Sequence, residues 1–336
     1  MKLSGIIGRK NKSPEELIGN KNSTNLQENK VIVEKEIISS DDFGYEENKK
    51  KGISLYAELI RLAKYLVEND KERQGKLEIC EEAQKLSNKV IDELKNENNE
   101  LLKMSIKSTE DNFLFAHLAN VCILSIKMGL GLNFSTDKLT FLGIFALLHH
   151  IKSCHVDLIN KTIQSKHKDD MINEIKNQLK GKILYNRNIA DDEMNDVADV
   201  VNLIEVYESL THYRKSRERK LPHEILKMFI ETSSEVFENS LVKVFIEQLS
   251  IYPLGSFIKL NSGEIGEVIK TNRNFPTRPV IKIILDKEKK SLEKPKVINL
   301  VENPMIQVRE AVDEEKLVLN DKRLILKLKL SKWWVE

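Results

Sequence analysis

The run LTFLGIFALLHH at residues 139–150 decides what kind of protein this is. Ten residues pass without a charged side chain before His149 and His150 appear together, and apolar groups fall on nearly every side. A helix of that kind is buried all round, at the centre of a bundle. Working outward, residues 113–128 form a second apolar helix, with Leu114, Leu118, Val121, Leu124 and Met128 on one stripe and Cys122 at its edge. Asp111 is placed to accept the free N–H groups of its first turn, and Gly129-Leu130-Gly131 to stop it. His117 lies within the apolar stripe, four residues before Val121.

Further out the pattern stays helical. From Ser54 to Met104, Leu55, Leu59, Leu62 and Leu66, then Cys80, Ala83, Leu86, Val90, Leu94 and Leu101, recur at three- and four-residue spacing, which predicts two or three helices. Burial in the same domain is the first use of such stripes; the length of the run also permits a homodimer contact through residues 54–104. Residues 152–183 are polar and weakly amphipathic, whereas 194–213 and 224–249 read as amphipathic helices, the second entered after Pro222. The character changes at Tyr252. Phe257, Ile258 and Leu260 approach the turn Asn261-Ser262-Gly263, and Ile265, Val268 and Ile269 leave it, which reads as a hairpin. Residues 280–285, 297–300 and 324–330 are further strand candidates. The expectation is a mainly α protein: an arm at 1–52, a helical lead-in at 53–110, a helical domain at 111–251, and a small antiparallel β-rich unit at 252–336.

Composition narrows the function classes. Acids nearly cancel bases, leaving +2, so no global electrostatic footprint for nucleic acid is present. The local basic run at 214–220 reads first as a solvated helix end or loop. Three separated cysteines give neither a disulfide framework nor a CxxC metal pair, which predicts a reducing compartment. With no signal-like N-terminus and no apolar stretch near the roughly 20 residues that span a bilayer, the expected location is the cytoplasm, away from membranes. Residues 9–52, rich in Lys, Asn, Glu and Ser, carry too little apolar surface to offset ordering entropy.

The chemistry rests on histidine. One histidine on an apolar face is more often a satisfied core residue than a ligand; His117, His149 and His150 on two adjacent apolar helices point to a site. Neutral imidazole suits Zn, Fe, Mn or Ni and needs an acceptor for its other nitrogen. Consecutive helical residues point about 100° apart, so His149 and His150 reach one point only where the backbone turns at the helix end. Glu205 interrupts another apolar face, and a buried carboxylate is costly unless paired or bound to metal. An exposed or capping role is the plainer reading of Glu205.

His117 in FAHLANV (115–121), LLHHIK (147–152), LIEVYESLTHYR (203–214), LPHE (221–224) and YPLGSFIKLNSGEIGEVI (252–269), in that order, resemble the HD-GYP family. The resemblance runs from about Gly52 to Val312 and is closest in the β tail, with Asn272, Arg278-Pro279-Val280 and Ile283. It implies an HD-type helical bundle and, in family members, a metal-dependent phosphodiesterase that hydrolyses cyclic di-GMP. Residue by residue, the family's first metal histidine matches His117, and the histidine of its His-Asp pair matches His149. The aspartate of that pair is His150, and the later metal aspartate is Glu205. The histidine-bearing segment with the Asp-Gly-x-Gly-Tyr-Pro loop has no counterpart between His155 and Ile204; His155 and His167 stand there in polar surroundings and are not taken as ligands.

An aspartate can bridge two metals, whereas a histidine offers one nitrogen to one metal, so His150 breaks a binuclear centre. His117, His149, His150 and Glu205 would still hold one divalent metal (Fe, Mn or Zn), or none. Four protein ligands on one metal would make the site closed and structural. The expectation is a degenerate signalling or scaffolding module without phosphodiesterase activity. Its partner would be a protein or a cyclic dinucleotide, with Lys152, Arg214 and Arg217 as phosphate contacts. The alternatives are a weakly active one-metal phosphohydrolase, and an oligomerisation protein working through residues 54–104.

Overall fold

The computed structural model describes residues 42–69, 76–105, 113–149, 192–212, 218–232 and 237–313. In chain order these form the helices α1 (Asp42–Glu68), α2 (Lys76–Lys95), α3 (Asn99–Met104), α4 (Phe113–Gly131), α5 (Thr136–Leu148), α6 (Asp192–Thr211), α7 (Pro222–Thr232) and α8 (Asn239–Leu249). Five strands follow: β1 (Phe257–Leu260), β2 (Ile265–Lys270), β3 (Val280–Leu285), β4 (Ser291–Asn299) and β5 (Val308–Val312). A mainly helical protein with a small C-terminal antiparallel sheet is what the pattern predicted. The strand candidate at 324–330, the polar segment 152–183 and the cap at Asp111 lie outside the described residues.

α4 is the axis of the helical part. Every residue from Ala116 to Ile126 is buried, and the helix packs against α2, α3, α5, α6 and α8. By length and composition Leu114–Gly131 would suffice to cross a bilayer, contrary to the expectation that no stretch comes near it. It is 72% buried inside the protein, as a core helix is. α5, Ser135-capped at Lys138 N–H, is buried from Leu139 to Leu148. The stripes of α1 and α2, from Leu55 to Leu66 and from Cys80 to Leu94, close over the same core, so they are used within the chain.

Several local readings change. α1 begins at Asp42, ten residues before the expected end of the arm. Further along, exposed Lys51 pairs with Glu47 at 2.8 Å, one helical turn away. The glycines at the end of α4 do not stop it. Asn133, at φ 57°, takes the left-handed position, while Phe134 N–H bonds Gly129 O and Asn133 N–H bonds Leu130 O. That pair is the Schellman arrangement. Gly129 and Gly131 serve close packing instead: a Cβ would fall 2.7 Å from Leu139 Cδ2 and 2.4 Å from Gln248 Cγ respectively. The stretch 224–249 is two helices, α7 with Pro222 in its first turn and α8 starting after Glu238. Buried Phe237 precedes that start and packs edge-on to Phe229 at 5.3 Å.

The sheet has the order β4-β3-β2-β1-β5, antiparallel throughout. Its core (Ile258, Leu260, Val268, Ile281, Ile283, Ile298, Leu300) is separate from the helical one. The expected hairpin joins β1 to β2, with Gly263 at φ 92° in its turn. β4 starts six residues earlier than the pattern at 297–300 suggests. It includes Pro295, which has no N–H to give; an edge strand tolerates that. Arg219, after α6, pairs with Asp313, after β5.

Gly143 marks a close crossing of three helices. A Cβ there would lie 2.6 Å from Ser87 Oγ on α2 and 2.9 Å from Ile126 Cδ1 on α4. Gly143→Ala is therefore expected to cost about 1–3 kcal/mol through overpacking. Urea unfolding would show a lower midpoint with an unchanged slope; an unaltered midpoint would mean the crossing is looser than it looks.

Candidate metal centre

Three helices bring the site together. His117 comes from the second turn of α4, Glu205 from α6, and His149 is the residue that caps the C-terminus of α5. One ligand atom from each of the three lies within 4.8 Å of the others. His117 and His149 are buried and Glu205 is partly exposed. The imidazole centroids stand 5.6 Å apart.

The hydrogen bonds decide which ring nitrogens are available. His149 Nδ1 lies 2.6 Å from the Ala146 carbonyl oxygen. A carbonyl only accepts, so Nδ1 carries the proton and a neutral ring keeps its lone pair on Nε2. His117 Nδ1 bonds the carboxylate of Glu208. Burial would raise that carboxyl's pKa. His212 and His117, with hydrogen bonds from His117 and Asn120, outweigh burial and bring it down to about 2. An ionised carboxylate only accepts, so His117 too donates from Nδ1, and a neutral ring keeps its lone pair on Nε2. A carboxylate behind the histidine is the arrangement that orients imidazole ligands and raises their basicity.

Glu208 is itself held in place. Asn120 Nδ2 donates to Oε1 at 2.9 Å, and His212 Nδ1 lies 3.3 Å from the same oxygen. The Tyr56 hydroxyl, from α1, donates to Asn120 Oδ1 at 2.9 Å. Burial and the charge of Glu208 push the phenol's pKa up, so it stays a donor. A chain thus runs Tyr56, Asn120, Glu208, His117, through α1, α4 and α6. Two imidazole nitrogens and a carboxylate oxygen, with both tautomers set, suit a divalent metal of the Zn, Fe or Mn class.

Of the expected site residues, His117, His149 and Glu205 converge. His150, Lys152, Arg214 and Arg217 lie outside the described residues, as do His155 and His167. Sequence reasoning passed over Tyr56, Asn120, Glu208 and His212. A signal existed for three of them. Glu205, Glu208 and His212 recur at helical spacing on an apolar helix, and Asn120 sits three residues after His117. Nothing marked Tyr56, whose partner is 64 residues away.

Glu208→Gln would place an amide N–H within reach of His117 Nδ1 and favour the other tautomer. The expected result is a 10- to 100-fold loss of metal affinity, of the order seen when such supporting partners are removed. Chelator competition on a variant with unchanged circular dichroism checks it, and wild-type affinity would remove Glu208 from this role.

Residues 257–320 match the family described as KOW domain associated with HD domain. A cyclic di-GMP phosphodiesterase of Pseudomonas aeruginosa is 20% identical over 230 residues, covering 60% of this chain and 55% of that protein. The chain thus spans about half the length of this curated relative. No solved structure matches. Together the two matches support an HD-domain family for this chain.

Proposed function

We propose that this chain is an HD-domain signalling module that holds one divalent metal at His117, His149 and Glu205. Through that metal it binds, without hydrolysing, a phosphate-bearing ligand of the cyclic dinucleotide class; a signalling protein is the other class of partner. The observation that carries the reading is the pairing of two imidazoles, both fixed with Nε2 available, with a single carboxylate. The residue after His149 is His150, which cannot bridge a second metal as an aspartate would. The likeness to a cyclic di-GMP phosphodiesterase supplies the ligand class.

A divalent metal in such a site polarises a phosphoryl oxygen and acidifies bound water. The chain's own part is to hold the donors. Glu208 and the Ala146 carbonyl keep both Nδ1 protons turned away from the metal side, and the buried walls of α4 and α5 limit water around the imidazoles. Among the described residues three protein donors converge, and a site of three donors leaves room for an outside ligand, which a closed four-ligand site would not. That same room favours a second reading, slow one-metal hydrolysis. Lys152, Arg214 and Arg217 are proposed as the cations that meet the phosphates.

Elemental analysis of the purified chain is expected to find about one metal per chain, lost in His149→Ala. Calorimetric titration of cyclic di-GMP should show binding that disappears with the same substitution, and product analysis should show no turnover. Turnover abolished by His149→Ala would replace the first reading with the second. Absence of both metal and binding would sink the two together.

A further inference from the structure

A cleft opens among α3, α4, α6, α8 and the segments flanking the β1–β2 hairpin. Its walls are mainly apolar, with Leu102, Leu124, Leu249 and Leu254 among them, and Lys127 and Thr271 add polar groups. None of His117, His149 and Glu205 lines it; His212, the partner of Glu208, does. The cleft is therefore a separate place, adjoining the support of the metal centre.

Lys127 is the feature that asks for an explanation. It comes from α4, four residues before the Gly131 that packs on Gln248. The residue is half-buried, and burial pushes its pKa down, with Arg273 adding to the effect and Glu97 opposing it. Its ammonium makes neither a hydrogen bond nor an ion pair among the described residues. Arg273 already has an acid, Glu247, at 3.5 Å. A cation drawn partly out of water, with Glu97 acting on it only at a distance and no hydrogen bond to its ammonium among the described residues, is costly, and an anion inside the cleft would relieve it. An apolar wall next to a single cation selects small ligands with an apolar body and one anionic head.

We propose that this cleft binds a small organic anion, its head group on Lys127 and its apolar body against Leu102, Leu124 and Leu254. The site goes beyond the metal-centred reading and does not depend on it. Phenyl phosphate serves as the probe and inorganic phosphate as the comparison, titrated calorimetrically into the full chain. Phenyl phosphate is expected to bind about tenfold or more tightly than phosphate, because the ring buries apolar surface. Lys127→Met, which keeps the stem and removes the charge, should weaken it by about tenfold or more, and Lys127→Arg should restore most of the affinity. His149→Ala should leave it unchanged, which separates this cleft from the metal centre. No measurable binding of phenyl phosphate, equal affinity for inorganic phosphate, equal affinity in Lys127→Met, or loss in His149→Ala would each overturn the proposal.

Discussion

A fully buried carboxylate, Glu208, sits where α1, α4 and α6 meet, and much of the helical arrangement answers to it. Placing an ionised carboxylate in a protein interior costs several kcal/mol unless it is paired and fully hydrogen-bonded. Here His117, Asn120 and His212 all reach it, and Tyr56 fixes the amide of Asn120. The partners come from helices otherwise positioned mainly by apolar packing, with a few ties nearer the surface such as Lys89 to Glu58 and Lys138 to Asp196. Such packing tolerates small slides and rotations of one helix on another, whereas hydrogen bonds near 2.9 Å do not. The network therefore selects one register of α1, α4 and α6 from those the core alone would allow.

That register is also what makes a metal centre. His117 is useful as a ligand only if its Nδ1 is occupied, and Glu208 occupies it. His149 owes its orientation to a different device. It stands where α5 gives out, so its ring folds back onto the carbonyl of Ala146 within its own last turn. One ligand is thus oriented across the bundle and the other by its own helix end. Glu205, partly exposed, completes the group from α6.

The β unit has its own core and is joined to the helices by few polar ties, among them Arg219 to Asp313 and Ser250 to the Pro276 carbonyl. Its strands lie within the residues that match the KOW domain associated with HD domain, yet it contributes none of the candidate ligands. The legible part of the family likeness and the chemically decisive part lie in different places. Strand candidates and the hairpin were readable because period-two alternation and the Asn-Ser-Gly turn are local signals. The true start of β4 was not, since Pro295 argues against a strand until the neighbour on only one side is known.

The sequence by itself determined that α4 and α5 are central, that their histidines and, less plainly, Glu205 are candidates for chemistry, and that a β unit follows the helices. These follow from hydrophobic period and from polar residues standing on apolar faces, which need no knowledge of partners. Only the tertiary structure decided how those residues are used. Tautomers depend on which acceptor lies behind each ring, and the acceptor for His117 is 91 residues away. The roles of Gly129 and Gly131 turned the same way, from helix stop to close packing, because what a missing Cβ makes room for belongs to another helix. Local pattern names the residues capable of chemistry. Contacts between distant segments set their protonation, orientation and openness to solvent, and those contacts exist only in the folded chain.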